Sequence, residues 1–253
     1  MIMSTVLNRI APLAVIAMGL GLSACGDVKV NIGDSEGVPL AELDLSGPAP
    51  TRLALGSGDR VILTQGDTLA IAIEGDAKAN KDLRFVRDQD LLDIARHSGL
   101  FSKDSAPATI RVTMAAPKEL MIGGSGTIEA PALARKAELT IGGSGTIRFA
   151  DFTGERLEIA IGGSGNVTGA GTAERMEINI GGKGNVDLAE LKADKAEITI
   201  GGSGDVAFAS DGMVEATIAG SGTVKVTGRA QCTANSFGSG KLICEPAIPA
   251  EAE

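Results

Sequence analysis

Between residues 118 and 244 one phrase is written seven times, and it leaves few folds open. It begins as Leu120-Met-Ile-Gly-Gly-Ser-Gly-Thr-Ile128, returns at 139–147, 159–167, 178–186, 198–206 and 216–224, and fades at 234–242. The first glycine of each Gly-x-Gly falls at Gly124, Gly143, Gly163, Gly182, Gly202, Gly220 and Gly238, so the steps are 19, 20, 19, 20, 18 and 18 residues. A fixed period in that range marks a solenoid, whose units bury their apolar faces only by stacking on one another.

Reading each copy by offset turns the repeat into geometry. Two and four residues before the first glycine, and two and four after the second, the side chains are mostly apolar: Leu139, Ile141, Ile147 and Phe149 in one copy, Ile198, Ile200, Val206 and Phe208 in another. Alternation of period 2 on both sides of a glycine turn predicts two short strands per unit with these side chains inward. The residue six before the glycine (Ala137, Leu157, Met176, Ala196, Val214) joins the inner set. Both flanking glycines recur in all seven copies, whereas the glycine before them gives way to Ala219 and Phe237. The flanking pair therefore takes positive φ or has no room for a Cβ. The residue between them is Ser six times and Lys183 once, and is expected to face solvent.

The expected fold is all-β: a parallel β-helix of about 19-residue coils over 118–244, preceded by an irregular β-rich part over 51–117. Coils of such a helix lie about 4.8 Å apart. Four or five inward residues per coil, at about 1.5 to 3 kcal/mol for each buried Val, Leu, Ile or Phe, supply enough gross burial to order it. An antiparallel meander of hairpins is the competing arrangement. It suits a Gly-rich turn equally well, but explains less naturally why the same side-chain types return at every coil.

Twenty-three basic against 32 acidic residues give a net charge of −9, which argues against nucleic acid as a partner, since phosphate contacts need clustered Lys and Arg. The chain has no Trp and no Tyr, so it lacks the main material of stacking platforms for sugars and single strands.

Residues 1–24 read as a signal peptide, with Arg9 as its positive region and 10–22 as an apolar core too short to span a bilayer. Leu22-Ser23-Ala24-Cys25 resembles the lipobox of bacterial lipoproteins. That resemblance implies cleavage before Cys25, lipidation of that cysteine and export. Gly26 rather than Asp follows, which in enteric-type sorting implies the outer membrane. Residues 25–50, polar and carrying three prolines, read as the lipidated cysteine and a tether to the membrane.

Cys232 and Cys244 remain, an even pair in an oxidising compartment. Both occupy inward offsets of the last copy, six before Gly238 and four after Gly240, and are expected to be buried and disulfide-bonded. A bridge closing so short a loop is worth about 3 kcal/mol in the chain-entropy picture. A catalytic dithiol is the alternative.

Residues 51–117 hold short strand-like runs at 60–64, 68–74, 83–86, 91–95 and 109–114. They read as irregular first coils of the same solenoid, or as a cap over its open end. The run at 53–75, with its Val-Ile-Leu-Thr-Gln-Gly and Ile-Glu-Gly-Asp76 phrases, then Leu91-Leu-Asp-Ile94, Met114-Ala-Ala-Pro-Lys-Glu-Leu120 and the Gly-Ser-Gly coils, resembles the bacterial GIN-type head domain. The resemblance spans about 40–244. It implies an envelope-associated β-helix of a group labelled auto-transporter adhesins; it carries over no functional residues. Residues 245–253, with two of the chain's prolines and three glutamates, are expected to form a disordered tail.

The outward offset five before each glycine holds Glu119, Glu138, Glu158, Glu177, Glu197 and Glu215. Stacking aligns them into one carboxylate column, and like charges at strand spacing repel. Two residues earlier stand Lys136, Arg156, Arg175 and Lys195, a basic column expected to offset them. A functional reading, as a linear surface for cations or a cationic ligand, is strongest near Glu119 and Glu215, where Pro117 and Met213 replace the basic residue.

Other chemistry fails on register. Calcium-binding nonapeptides need Asp where this chain has Ile128, Ile147, Val167, Val186, Val206 and Val224. Gly-x-Ser-x-Gly is never completed, and His97 is the sole histidine, so neither a nucleophile elbow nor a multi-histidine metal site is available. No metal site, cofactor or catalytic residue is assigned. The expected function is non-catalytic: a lipid-anchored envelope protein, at the outer membrane, contacting a surface macromolecule in an adhesin-like role. A polysaccharide-acting β-helix enzyme and a purely structural envelope protein are the alternatives, and the sequence leaves the oligomeric state open.

Overall fold

The computed structural model describes residues 37–75, 80–97 and 107–246. The leader, Cys25, the start of the tether, the loop at 98–106 and the tail from 247 lie outside the described residues. Six strands precede the repeat: β1 (Arg52–Leu55), β2 (Arg60–Gln65), β3 (Ala70–Glu74), β4 (Leu83–Asp88), β5 (Leu91–Arg96) and β6 (Thr109–Met114). The repeat itself supplies β7 (Glu119–Ile122), β8 (Thr127–Ala132), β9 (Lys136–Ile141), β10 (Thr146–Ile161), β11 (Asn166–Ile180) and β12 (Asn185–Gly202). It continues with β13 (Asp205–Ala209), β14 (Met213–Gly220), β15 (Thr223–Thr227), β16 (Gln231–Gly238) and β17 (Lys241–Glu245).

Every coil-to-coil pairing within the repeat is parallel, so the chain is a parallel β-solenoid and not a meander. Ahead of the glycine turn run β7, β9, the second halves of β10, β11 and β12, then β14 and β16. Beyond it run β8, the first halves of β10, β11 and β12, then β13, β15 and β17. Equivalent residues stack: Ile122, Ile141, Ile161, Ile180, Ile200 and Ile218 form one column, all buried. Columns of this kind merge into one apolar core running from Leu53 to Val226.

Close approach fixes the glycines of the turn, joined at Gly202, Gly220 and Gly238 by a positive φ of 158°, 143° and 133°. The carbonyl of each first glycine points along the stack and accepts the N–H of the residue after the next first glycine: Ser144 to Gly124 at 3.0 Å, Lys183 to Gly163 at 2.9 Å. A Cβ on Gly143, Gly163 or Gly182 would lie 2.3 Å from that same carbonyl. On Gly145 or Gly165 it would meet the Ile side chain of the preceding coil at 2.5 Å. The glycine before the pair is different: a Cβ on Gly142 or Gly181 meets nothing closer than 3.8 Å, which is why Ala219 and Phe237 can stand there. The intervening Ser column and Lys183 are exposed.

The amino-terminal part contains both in-register coils and a cap, but not in chain order. β1 lies between β5 and β7, and β2 between β6 and β8, all parallel. The coil at 52–65 is therefore sandwiched between coils that come after it in sequence. β3 then runs antiparallel along β6, and β4 antiparallel along β5. Outside these, Val38 bridges to Phe85 and Pro48 to Thr68.

Gly56-Ser57-Gly58 reads as a further copy of the turn but sits one residue out of register. Leu55 pairs with Ile122, and Thr127 donates its N–H to the Asp59 carbonyl, so Ser57 and Asp59 occupy the levels of Gly124 and Gly126. Side chains at these two levels face Arg96 and Ala108 of the adjoining coil. The space is filled by a buried ion pair: Asp59 accepts from Ser57 Oγ at 2.6 Å, from the Ala108 N–H at 2.7 Å and from Nε and Nη2 of the Arg96 guanidinium at 2.9 and 2.5 Å. The Asp59 side chain is fully buried and that of Arg96 is 7% exposed. The carboxylate holds the Arg96 pKa above its ordinary value.

At the other end Cys232 and Cys244 form a disulfide with Cα atoms 6.8 Å apart. The expectation that both are buried is corrected: Cys232 is half-buried and Cys244 exposed, because among the described residues no coil lies above the last one. The sole histidine, His97, is exposed.

Candidate functional site

The outward face of the strands ahead of the turn carries the charge pattern, and the register places it without gaps. Glu119, Glu138, Glu158, Glu177, Glu197 and Glu215 are consecutive partners across β7, β9, β10, β11, β12 and β14, with Arg52 of β1 next below and Thr233 of β16 next above. Lys136, Arg156, Arg175 and Lys195 pair likewise, followed by Met213 and Gln231.

Neutralisation along these two columns is uneven. Arg156 pairs with Glu158 and reaches the next coil's Glu177 at 3.1 Å. Lys136 turns away from its neighbour Glu138 and, with Arg135, engages Glu155, each at 3.2 Å. Those two contacts, Lys136 foremost, hold the Glu155 carboxyl below the usual carboxylate range. Glu119, expected to lack a basic partner, is instead ion-paired with Arg52. This partner comes from a coil 67 residues earlier, which no periodic reading of the repeat reveals. Hydrogen bonding to Glu119 raises the Arg52 pKa.

Toward the carboxy-terminal end the compensation stops. Among the described residues Arg175, Lys195, Glu197 and Glu215 form no ion pair, and Met213 beside them is 55% exposed. These side chains, with Arg156 and Glu177, line a surface trough of about 400 Å³ that continues to Gln231 and Thr233. Its floor is the buried Met176, Ala196 and Val214. The trough can hold an extended ligand carrying charges of both signs.

A second, wider depression of about 740 Å³ lies over the strands beyond the turn, lined by Pro131, Ala150, Ala170 and Ala189 between Arg148 and Glu190. It forms where the coils differ in length by one residue, with register shifts between Phe149 and Phe152 on β10 and between Thr168 and Ala170 on β11. Arg148 and Arg60 both pair with Glu129 at its edge. Among the described residues no group of three or more His, Cys, Asp and Glu is arranged to hold a metal ion, and no helix is long and apolar enough to cross a membrane.

One buried titratable group lies away from both depressions. Asp93, on β5, is 8% exposed, and burial pushes its carboxyl above the ordinary value despite a backbone hydrogen bond from Ile94.

Residues 49–230 match the family model described as "Putative auto-transporter adhesin, head GIN domain". No curated protein matches the sequence. Among solved structures, the fold is similar to that of a protein of Bacteroides fragilis described as a putative adhesin (TM-score 0.64, 18% identity, 79% of this chain and 92% of that one). It is also similar to a protein of Parabacteroides distasonis described as a putative lipid binding protein (TM-score 0.62, 20% identity, 79% and 94%). A third, from Parabacteroides merdae and described as a putative adhesin, has a TM-score of 0.55 at 16% identity, covering 79% and 92%. At these identities the likeness is one of fold.

Proposed function

The chain belongs to the auto-transporter adhesin head GIN domain family, and from that premise we propose that it is an exported, lipid-anchored envelope protein whose rod contacts another macromolecule through the charged trough. Membership of this adhesin-like family points to the cell surface or envelope. The finer address rests on the leader at 1–24 and the lipobox-like Leu22-Ser23-Ala24-Cys25; several acyl chains on one cysteine make a stable anchor. Val38 enters at the capped end of the stack, against β4, so a tether from Cys25 holds the rod by that end and leaves the trough toward the far end.

The observation that carries the contact reading is the set of four charges without an ion pair, Arg175, Lys195, Glu197 and Glu215, gathered in one trough, whereas elsewhere in the same two columns Glu138 alone lacks one among the described residues. An extended ligand with charges of both signs fits them. Lys195→Glu with Arg175→Glu is expected to reduce binding of the purified protein to isolated envelopes at least tenfold, with thermal unfolding unchanged, since exposed charge changes cost little stability. Equal binding by this variant removes the trough from the proposal. The anchor is tested separately by fractionation and acyl labelling: Cys25→Ser releases the protein from the membrane fraction if the reading is right. A wild-type protein found soluble in the cytosol with Cys25 unmodified overturns it.

A further inference from the structure

The two ends of the stack are finished differently. At the amino-terminal end β3 and β4 run antiparallel over the last coil, the Val38 and Pro48 bridges lie outside them, and Leu40, Leu43 and Ala49 pack against the core. At the carboxy-terminal end, among the described residues, β16 pairs only with β14 and β17 only with β15, which leaves their outer edges without a strand. Gln231 donates its N–H down the stack to Gly212 at 2.8 Å, and Lys241 to Gly222 at 3.0 Å. In a parallel ladder successive residues bond to opposite neighbours, so the N–H and C=O of Cys232, Ala234, Ser236, Leu242 and Cys244 face outward along the axis.

We propose that this end face is a tail-to-tail contact with a second copy of the same chain, edge strands pairing antiparallel about a two-fold axis. Solitary edge strands are normally blunted by charge, proline or a bulge. β16, Gln-Cys-Thr-Ala-Asn-Ser-Phe-Gly, has no charge and no proline, and pairs with β14 residue for residue without a shift. Its inward offsets are small, Ala234 over Ala216 and Ser236 where the coil below carries Ile218, so a facing strand can approach to sheet spacing. The disulfide ties β16 to β17, presenting both edges as one preformed surface. Phe237, 72% exposed, and Ile243 stand at its margin.

The partner is a copy in reverse orientation because the opposite end is finished by antiparallel strands, with Val38 bridged to β4 and Pro48 to Thr68 just ahead of β3. Head-to-tail stacking would have to displace those bridges, whereas a tail-to-tail contact uses the same edge on both copies and closes at two. Pairing of the same edge by residues 247–253 is the rival occupant that the test below separates from a second copy. The proposal stands independently of the trough and of the anchor.

Edges of eight and five residues make a small interface, below about 1,200 Å², so association in the micromolar range is expected. The test is sedimentation of the exported chain carrying Cys25→Ser, which removes the acyl group without touching the described fold, over about 1 to 300 μM. A reversible monomer–dimer equilibrium is expected. Ala234→Lys and Ser236→Lys, each placing a charge on an exposed position of the end face, should weaken it at least tenfold with the unfolding temperature unchanged. Lys183→Glu on the side wall should leave it intact. A monomer throughout the range overturns the proposal, as does a dimer indifferent to both lysine substitutions. Dimerisation that appears only after deletion of 247–253 also overturns it, by assigning the edge to the chain's own tail.

Discussion

The glycines of a Gly-Gly-Ser-Gly turn look alike in sequence and differ in what surrounds them. Gly143 has the Gly124 carbonyl 2.3 Å from where a Cβ would go, and both are backbone, so neither yields easily; Gly142 has 3.8 Å of clearance. Gly143→Ala should cost about 1 to 3 kcal/mol, the usual penalty of overpacking. Gly142→Ala should be neutral or stabilise by about 0.4 to 1 kcal/mol through the unfolded chain. Denaturant unfolding of the two variants separates close approach from a general need for glycine; equal losses would refute the steric account. Asp93 makes a prediction of a different kind. Its folded pKa is raised by burial above the ordinary 3.8, so the carboxyl is neutral in both states at low pH and charged in both at high pH. A destabilising charge penalty therefore sets in as pH rises from the unfolded value through the raised folded one. Asp93→Asn should unfold at a higher temperature than wild type at neutral pH, with the gap closing below about pH 3. A gap that persists in acid, or none at pH 7, sinks the assignment.

At the level of the element, the coil 52–65 shows why part of this fold could be read from sequence and part could not. Strand alternation and the glycine step are local, and they specified parallel stacking, the inward columns and the meeting of Cys232 with Cys244. The order of the coils is not local: nothing in 51–117 announces that β1 will lie between β5 and β7, and Arg52 therefore could not be foreseen as the partner of Glu119. The meaning of Ser57 and Asp59 at strict-glycine levels depends on Arg96 and Ala108, which come from a neighbour that follows in sequence but precedes in space. That element can be tested by a cycle. Arg96→Met leaves Asp59 buried and uncompensated and should cost about 3 to 5 kcal/mol. Asp59→Gly restores the residue the repeat uses elsewhere, but alone it removes the buried carboxylate from beside the guanidinium. The double variant should recover most of either loss, and strict additivity of the two would show that the pair is not coupled.

For the whole molecule the relevant question is where unfolding begins. A stack in which each coil touches only its neighbours has stability that is nearly a sum of unit and interface contributions. It opens from whichever end is less well held. The amino-terminal end is held by pairings of long sequence range, β1 with β7 and β2 with β8, under an antiparallel cap. The carboxy-terminal coil buries little: apart from half-buried Cys232, Gly240 and Leu242 its side chains are exposed, and a bridge spanning 12 residues is its main constraint. A loop of that length contributes about 3 kcal/mol, roughly a hundredfold in an opening equilibrium. Cys232→Ser with Cys244→Ser should therefore raise amide exchange in β16 and β17 by about two orders of magnitude. The buried amides of Ile141, Ile161 and Ile180, three or more coils away, should exchange as in wild type. Uniform loss of protection along the rod would mean that the stack unfolds as one cooperative body, and the nearest-neighbour account, with the end-specific roles assigned to cap and bridge, would have to be abandoned.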